Sequence, residues 1–308
     1  MRSQDIRTAG LISLIEKHSP DVVTLQEVTP AVYLALKSKS HAFSGEPYCL
    51  SDMPSSSYFT TTMCRESLRP HFLDVSLPSE MDRSLLVCTL HLPDRTCVAV
   101  GNVHLESLDN VALRKQQLDA IRLLMDSRSS ALPSPSGGGP SVLAVPAEAR
   151  RDLNNILCGD FNIDADRSFD AMRKRAPSGE TGRAAENLSL LQSLDGYTDA
   201  WPDLIGTDNK GYTFDVLVND MIFDRNVAWE ERMRYDRVMH SLGPTGRAVG
   251  IELGGCTPIE PPGGAPEAGP GAGVAENDNV SSTPVRVPIP LFVSDHFGIL
   301  ATFAFDQA

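Results

Sequence analysis

Residues 84–105 have the sequence SLLVCTLHLPDRTCVAVGNVHL, and this stretch decides the class of fold. Residues 84–92 and 96–105 are rich in apolar and β-branched side chains, which is typical of strands. Pro93-Asp94-Arg95 between them is a turn sequence. The two strands are therefore predicted to form an antiparallel hairpin, which argues against a purely parallel sheet.

Helices and further strands surround this hairpin. Apolar spacing predicts helices over residues 5–18 and 108–124, and Thr29-Pro30 predicts the start of another helix that continues to about residue 39. Further strands are predicted at residues 22–25, 58–64, 71–77, 155–158, 235–239 and 299–305. Hairpins mixed with helices favour an α+β fold in which helices cover stacked sheets.

The composition is that of an ordinary globular protein of 308 residues, with 41% hydrophobic and 22% charged residues. We expect a single domain over residues 1–308, with disordered insertions at about 127–149 and 252–288, because both segments are rich in glycine, proline and other small residues. The beginning of the chain has no secretory signal pattern and no apolar stretch approaches a membrane span, so an intracellular protein is expected.

The charge and the cysteines narrow the function. The net charge is −13, which opposes non-specific binding to nucleic acid or an anionic membrane, so a phosphate substrate would need a local cation or local arginines. The six cysteines are scattered without a Cys-x-x-Cys pair, which argues against a zinc ribbon and against a disulfide framework.

Four polar clusters follow apolar strands, at residues 25–27, 101–107, 158–162 and 293–298. Each has an ordinary structural explanation: Glu27 could cap a strand or form an ion pair, His104 could be a structural histidine, and the last two clusters could be turns. Their occurrence together favours one shared site. Carboxylates without accompanying cysteines suit a hard cation such as Mg²⁺, with Mn²⁺ able to replace it, and two histidines could meet a phosphoryl group. The clusters therefore predict metal-assisted phosphodiester hydrolysis.

These clusters resemble a known signature. Leu25-Gln26-Glu27, Gly159-Asp160-x-Asn162 and Ser294-Asp295-His296, in this order, resemble the motifs of the endonuclease/exonuclease/phosphatase superfamily. Within it, the blocks His104-Leu105-Glu106-Ser107, Tyr212-Thr213-Phe214-Asp215 and Arg234-Tyr235-Asp236-Arg237 resemble the tyrosyl-DNA phosphodiesterase 2 group most closely. The resemblance implies a DNase I-like fold, a four-layer α/β sandwich of two stacked mixed sheets flanked by helices.

The resemblance also implies roles for single residues. Glu27 would bind the metal and Asp295 would lie beside it. Asp160 would position or activate water, and Asn162 would hold the scissile phosphate.

Two histidines and their surroundings complete the implied site. His104 and His296 would stabilise the transition state or protonate the leaving group, and Asp236 would orient His296. The implied substrate-binding residues are Ser107, Phe214, Arg234 and Arg237, the two arginines by supplying positive charge to a DNA strand.

Three features depart from the family pattern. The family normally begins with a strand that ends in Trp-Asn or Tyr-Asn, and this first strand is expected to be missing from the 308 residues. Phe214 stands where tryptophan is usual, so a ring is kept without its N–H donor. Asp164 stands where the group commonly has arginine, which reverses a charge near the nucleic acid.

The expected function is Mg²⁺-dependent hydrolysis of 5′-phosphotyrosyl bonds, acting on a DNA 5′ end that carries a covalent tyrosine or peptide, without a membrane partner and with nuclear residence. Within the same chemistry, an abasic-site endonuclease, a deadenylase or a phosphoinositide phosphatase are alternatives. The missing strand leaves a second class open, an inactive, truncated interaction module.

Overall fold

The structure is a computed structural model that describes residues 3–43, 45–94, 96–108, 110–126, 154–163, 190–223, 232–259 and 291–306. Its helices are α1 (Ser3–His18), α2 (Pro30–Lys39), α3 (Val111–Asp126), α4 (Ala200–Ile205) and α5 (Asp220–Phe223). The strands of the first half are β1 (Val22–Val28), β2 (Tyr48–Leu50), β3 (Phe59–Arg65), β4 (His71–Ser76), β5 (Ser84–His91), β6 (Cys97–His104) and β7 (Asn154–Asp160). Those of the second half are β8 (Thr198–Asp199), β9 (Phe214–Asp215), β10 (Arg232–Met233), β11 (Asp236–Ser241), β12 (Gly246–Gly254) and β13 (Gly298–Phe305).

The local sequence signals act as expected where they are strong. Thr29 caps α2 by accepting a hydrogen bond from the backbone N–H of Val32, and Pro30 occupies the first helical turn. The turn at Pro93-Asp94 joins β5 to β6 as an antiparallel hairpin in the register Leu85↔Val103.

The larger sheet has six strands in the order β4-β5-β6-β7-β11-β8. Every neighbouring pair is antiparallel except β6 and β7, which are parallel. A parallel pair needs a long connection, and α3 lies on the connection between these two strands. The sheet is therefore mixed, as expected.

The remaining layers complete a four-layer sandwich. The helix α3 packs on one face of the six-stranded sheet through Leu118, Ile121 and Met125. The opposite face packs against a second layer, made of a three-stranded sheet β1-β3-β2 and the two-stranded sheet β12-β13. Side chains of α1 and α2, including Ile15 and Leu36, cover the outer face of the three-stranded sheet. The fold class predicted from the sequence is confirmed.

The second layer has two strand edges without a partner among the described strands. Among the described strands, β1 is bonded only to β3, and β13 only to β12. These edges lie over neighbouring parts of the six-stranded sheet, because β1 contacts β7 while β13 contacts β11. No described strand joins β1 to β13.

The boundaries of the predicted insertions need one correction. The second insertion was expected to begin at residue 252, but β12 continues to Gly254, where Gly254 pairs with Gly298. The three glycines of this strand (Gly246, Gly250 and Gly254) weakened its sequence signal. Residues 127–149 and 260–288 lie outside the described residues. No helix in the described ranges is long and apolar enough to cross a membrane.

A buried charge cluster fixes the end of the six-stranded sheet. The carboxylate of Asp199 accepts hydrogen bonds from Arg234 Nη1 at 2.9 Å and from Arg237 Nη1 at 2.7 Å. Arg234 is 4% exposed and Arg237 is 1% exposed. The same carboxylate caps α4 by accepting from the backbone N–H of Trp201 at 3.2 Å.

We predict that Asp199→Asn destabilises the protein by about 3 to 5 kcal/mol, because an amide keeps the cap but removes the charge that two buried guanidinium groups share. Burial opposes the charged form, but Arg237 and Arg234 hold the pKa of Asp199 below its usual value. The stabilisation is therefore present above about pH 4 and is lost as the pH falls through the folded-state pKa. Urea unfolding at several pH values measures it. Asp208→Asn, at an exposed loop position, should leave the midpoint unchanged, and a similar midpoint for both variants would contradict the prediction.

Candidate active site

Three of the predicted site residues lie side by side on neighbouring strands. In the parallel pair β6-β7, His104 is in register with Asp160. In the antiparallel pair β7-β11, Asp160 is in register with Asp236. Laterally paired residues point to the same face of a sheet. The imidazole Nε2 of His104 is 3.5 Å from Oδ2 of Asp160. The strand register thus assembles a His-Asp-Asp row.

The residues around Asp160 explain the Gly-Asp-x-Asn motif. Gly159 has φ +132, and a Cβ there would be 2.0 Å from the carbonyl oxygen of Val103, so only glycine lets β7 approach β6 at this point. Asn162 has φ +51, a left-handed conformation that asparagine tolerates. Its backbone N–H donates to Asp160 Oδ1 at 2.8 Å, and its Nδ2 donates to the carbonyl of Leu105 at 3.0 Å. The motif therefore fixes the orientation of the Asp160 carboxylate.

His296 is held beside the row by Asp236. Its Nδ1 is 2.8 Å from Oδ2 of Asp236. Burial alone would lower the pKa of His296, but Asp236 and the nearby Asp160 raise it to about 10. The imidazole is therefore protonated at neutral pH and has two N–H donors. Phe214 meets its ring edge-on and Tyr235 stacks on it, with centroid separations of 5.3 Å and 6.0 Å.

His104, unlike His296, is a neutral imidazole. Its Nδ1 is 3.0 Å from Nη1 of Arg83, and the imidazole is 4% exposed. Burial and the positive charge of Arg83 lower the pKa of His104 to about 3. Because the imidazole is neutral, its 3.5 Å contact with Asp160 is not an ion pair.

Carboxylates are crowded around Asp160. Burial, Asp236 and Glu27 raise the pKa of Asp160 well above the usual value of an aspartate. Glu27 is exposed at the end of β1, where φ is +58 and the pairing with β3 shifts register. Burial and the nearby Glu27 raise the pKa of Tyr58, and the ring of Tyr58 contacts His104 at a centroid separation of 6.1 Å. Glu27 therefore lies in the same region as the His-Asp-Asp row.

A polar contact between the two layers aligns β1 with β6. The side-chain amide of Asn102 donates to the carbonyl of Thr61 at 2.9 Å and to that of Leu25 at 3.3 Å. Its Oδ1 accepts from Nε2 of Gln26 at 2.7 Å. Asn102 is fully buried and lies two residues before His104. Asn102 belongs to the polar cluster at residues 101–107, but the sequence did not predict this contact.

Two other predicted site residues, Asp295 and Ser107, lie at different places around the row. Asp295 is 9% exposed and interacts electrostatically with the adjacent His296, and its Oδ1 is 4.0 Å from Nη2 of Arg7. The hydroxyl of Ser107 contacts Met81 Sδ at 3.2 Å beyond the end of β6. No group of three or more His, Cys, Asp or Glu side chains in the described part of the chain has the geometry of a metal site.

The positions of Arg234 and Arg237 contradict their predicted role in DNA binding. We expected them to face a DNA strand, but both guanidinium groups are buried and bind Asp199. The sequence showed the arginines, yet it could not show that their counter-charge, Asp199, lies 35 and 38 residues earlier in the chain. Asp164 lies outside the described residues.

Sequence reasoning missed Arg83, Tyr58 and Tyr235. A signal existed for Arg83: the turn at Pro93-Asp94 sets the hairpin register, and this register brings the residue before β5 to the end of β6. Tyr58 directly precedes β3, whose Phe59 pairs with Val28. Tyr235 lay inside a motif block but its ring was given no role.

We predict that Asp236→Asn lowers the pKa of His296 from about 10 towards the ordinary histidine value of about 6.5, because the main opposing charge to its burial is lost. An NMR titration of the histidine ring signals measures the change, and the exposed His71 on β4 serves as an internal reference with the same signal in both proteins. A titration of His296 that is identical in both proteins would contradict this assignment.

Comparison with known proteins relates this geometry to a family. The sequence pattern of the endonuclease/exonuclease/phosphatase family matches residues 2–296. Tyrosyl-DNA phosphodiesterase 2 from Xenopus tropicalis is 33% identical over 249 residues, which is 79% of this chain and 53% of that protein. The Danio rerio protein of the same name is 25% identical over 236 residues, which is 75% of this chain and 51% of that protein. The chain thus spans about half the length of these relatives.

Solved structures show the same fold. The crystal structure of the Danio rerio phosphodiesterase complexed with a single-strand DNA product aligns with a TM-score of 0.62 and 22% identity, over 98% of this chain and 93% of that chain. A mannosyl-6-phosphatase from Bacteroides thetaiotaomicron aligns with a TM-score of 0.59 and 14% identity, over 98% and 92% of the two chains. At these identities the structures demonstrate the fold alone. Because the family pattern covers nearly the whole sequence, this chain belongs to the endonuclease/exonuclease/phosphatase family.

Proposed function

We propose that this protein is a metal-dependent phosphodiesterase that hydrolyses 5′-phosphotyrosyl bonds on DNA. The observation that carries the proposal is the row of His104, Asp160 and Asp236, with His296 bound to Asp236. Together with His296, the row combines a neutral imidazole, a protonated imidazole and a carboxylate of raised pKa. Groups whose pKa values are driven apart in one site can divide acid and base roles.

The side chains present fit a hard divalent cation. Glu27 is an exposed carboxylate, and its charge adds to those of Asp160 and Asp236 in one small region. A cation of the Mg²⁺ type takes only one or two protein carboxylates and completes its shell with water and phosphate oxygens, so a cluster of three ligands is not required. Glu27 would hold it, with Asp295 beside it. When bound, the cation would neutralise charge on the phosphate.

The protein side chains would then share the remaining work. The imidazolium of His296, fixed through Nδ1 by Asp236, offers its Nε2–H to a phosphoryl oxygen. Asp160, with a pKa raised by burial, is suited to accept a proton from the attacking water. His104 is placed to donate a hydrogen bond without bringing a charge. Asn162 uses one amide N–H for Leu105, which leaves the second for the phosphate.

The surroundings of the site favour a substrate with an aromatic or apolar part. On the His104 side, Tyr58 is 40% exposed, Met81 is 39% exposed and Leu108 is 80% exposed. On the other side, Phe214 lies against His296. A tyrosyl leaving group has a reference pKa of about 10 and needs less proton donation than an alkyl alcohol. The names of the relatives from Danio rerio and Xenopus tropicalis support this substrate class, and a DNA substrate would agree with nuclear residence.

The second candidate is a non-catalytic interaction module. The observation in its favour is that β1 and β13 each have one edge without a partner among the described strands. A measurement of phosphodiester hydrolysis by the chain discriminates between the enzyme and the interaction module.

We predict that the 308-residue chain releases a 5′-phosphate end from a tyrosyl oligonucleotide in Mg²⁺, and that EDTA abolishes the reaction. Glu27→Ala should lower kcat/KM by at least about a hundredfold, because a charge-stabilising group is lost. Glu16→Ala, an exposed carboxylate on α1, is the matched control and should retain full activity.

Product analysis by gel electrophoresis gives the readout, and three parallel substrates test the alternatives within the same chemistry. These are an abasic-site duplex, a polyadenylate and a phosphoinositide. If one of them is hydrolysed faster than the tyrosyl oligonucleotide, it replaces the tyrosyl adduct as the proposed substrate. No turnover of any substrate by the folded chain would favour the interaction module.

We predict that Phe214→Ala raises KM for the tyrosyl oligonucleotide about two- to tenfold with a smaller change in kcat, because one ring contact of about 0.5 to 1.5 kcal/mol is lost. Phe214→Trp keeps a ring and should retain or lower KM. Steady-state kinetics on a tyrosyl and an alkyl 5′ adduct provide the comparison. Equal effects on both adducts would show that Phe214 does not recognise the aromatic group.

A further inference from the structure

The contact between Arg83 and His104 fixes where the imidazole carries its proton. Nη1 of Arg83 is 3.0 Å from Nδ1 of His104. A guanidinium group has only donors and stays protonated in proteins. Nδ1 must therefore be the acceptor, and the single proton of the neutral ring is on Nε2. Nε2 lies 3.5 Å from Oδ2 of Asp160.

Arg83 is held in place by a short hydrogen-bonded loop. The hydroxyl of Ser79 accepts from the backbone N–H groups of Met81 at 2.9 Å and Arg83 at 3.0 Å. The same hydroxyl donates to Oε2 of Glu106 at 2.7 Å, and Oε1 of Glu106 accepts from the backbone N–H of Glu80 at 3.1 Å. We call this set of contacts the Glu106–Ser79 clasp. It ties the residues before β5 to the end of β6.

The clasp is anchored to the helix layer. Glu106 is fully buried, and its backbone N–H donates to Oε1 of Gln117 on α3 at 2.8 Å. Nε2 of Gln117 donates to the carbonyl of Pro78 at 2.9 Å. Gln117 is also fully buried. Glu106 belongs to the His104-Leu105-Glu106-Ser107 block, yet these contacts direct it away from the His-Asp-Asp row and towards the loop that carries Arg83.

We infer that Arg83 is a positioning residue which, held by the Glu106–Ser79 clasp, keeps His104 as the neutral tautomer with its proton on Nε2. In this state His104 gives a hydrogen bond to a phosphoryl oxygen or to Asp160 and does not take the proton that the reaction releases. The catalytic consequence rests on the proposed function, whereas the tautomer can be measured without any substrate.

Other groups around the ring could in principle set its state. Asp236 favours protonation of His104, while His296 opposes it. Asp160 lies at Nε2, and the ring of Tyr58 covers one side. Among the contacts of His104 with described residues, that of Arg83 is the one at Nδ1, so replacing Arg83 tests the tautomer without altering the other groups.

The test is a ring-nitrogen NMR spectrum of the full chain labelled with ¹⁵N-histidine, without metal, with His104 assigned by comparison with His104→Gln. We expect the unaltered protein to show His104 protonated on Nε2 alone across about pH 5 to 8. Arg83→Met removes the donor and the charge, so we expect mixed tautomers and protonation of His104 within this range. Arg83→Lys retains a donor and a charge and should restore the pattern of the unaltered protein.

Two further variants distinguish the positioning of His104 by Arg83 from a general disturbance of the structure. Ser79→Ala loosens the clasp while Arg83 keeps its charge, and it should shift the His104 signal part of the way. Arg122→Met, a partly exposed arginine on α3, should change nothing. A proton on Nδ1 in the unaltered protein, or an unchanged His104 spectrum in Arg83→Met, would overturn the inference.

Kinetics on the tyrosyl oligonucleotide complete the test. Arg83→Met should lower kcat about ten- to a hundredfold and move the acidic limb of the pH profile to higher pH, because His104 then becomes protonated in this range, and Arg83→Lys should recover most of the loss. An inactive parent chain whose His104 spectrum follows the expectation would refute the proposed function alone. An active parent chain whose spectrum does not respond to Arg83→Met would refute this inference alone.

Discussion

The buried side chain of Asn102 joins the two sheet layers at the point where the site is built. It bonds to Leu25, Gln26 and Thr61 of the second layer while its own strand, β6, belongs to the six-stranded sheet. Glu27 follows Gln26 directly, and His104 lies two residues after Asn102. A buried amide without its partners would cost about 1 to 3 kcal/mol, so the two layers are held in one relative position. The distance between Glu27, the carboxylate proposed to bind the metal, and the His-Asp-Asp row depends on this contact.

The row itself depends on a parallel strand pair within a mostly antiparallel sheet. A parallel β6-β7 pair brings the C-terminal ends of both strands to one edge, where His104 and Asp160 end their strands together. Antiparallel pairing of β11 with β7 then adds Asp236 from the beginning of β11. Gly159 permits the close approach of the backbones that this arrangement needs. His104 and Asp236, which are 132 positions apart in the chain, are thereby placed in one line with Asp160.

Two histidines in this small site have opposite protonation states for identifiable reasons. His296 has a carboxylate at Nδ1, and His104 has a guanidinium at the same atom. Burial disfavours the protonated form of both rings. The charge of the partner at Nδ1 decides whether this effect is overcome, because a buried charge persists only beside an opposite charge. The two rings are chemically alike in the sequence, and they differ because Asp236 lies beside one ring and Arg83 beside the other.

The sequence by itself determined the hairpin of β5 and β6, the start of α2, the layered α+β fold and the motifs that meet in the site, because turn residues, caps and strand periodicity act over a few neighbouring positions. It did not reveal β12, whose glycines hide its strand character, or the burial of Arg234 and Arg237 against Asp199. Only the tertiary structure decided these points, together with the protonation of His104 and His296. Burial and the identity of a charged partner depend on residues far apart in the chain, and no local pattern encodes them.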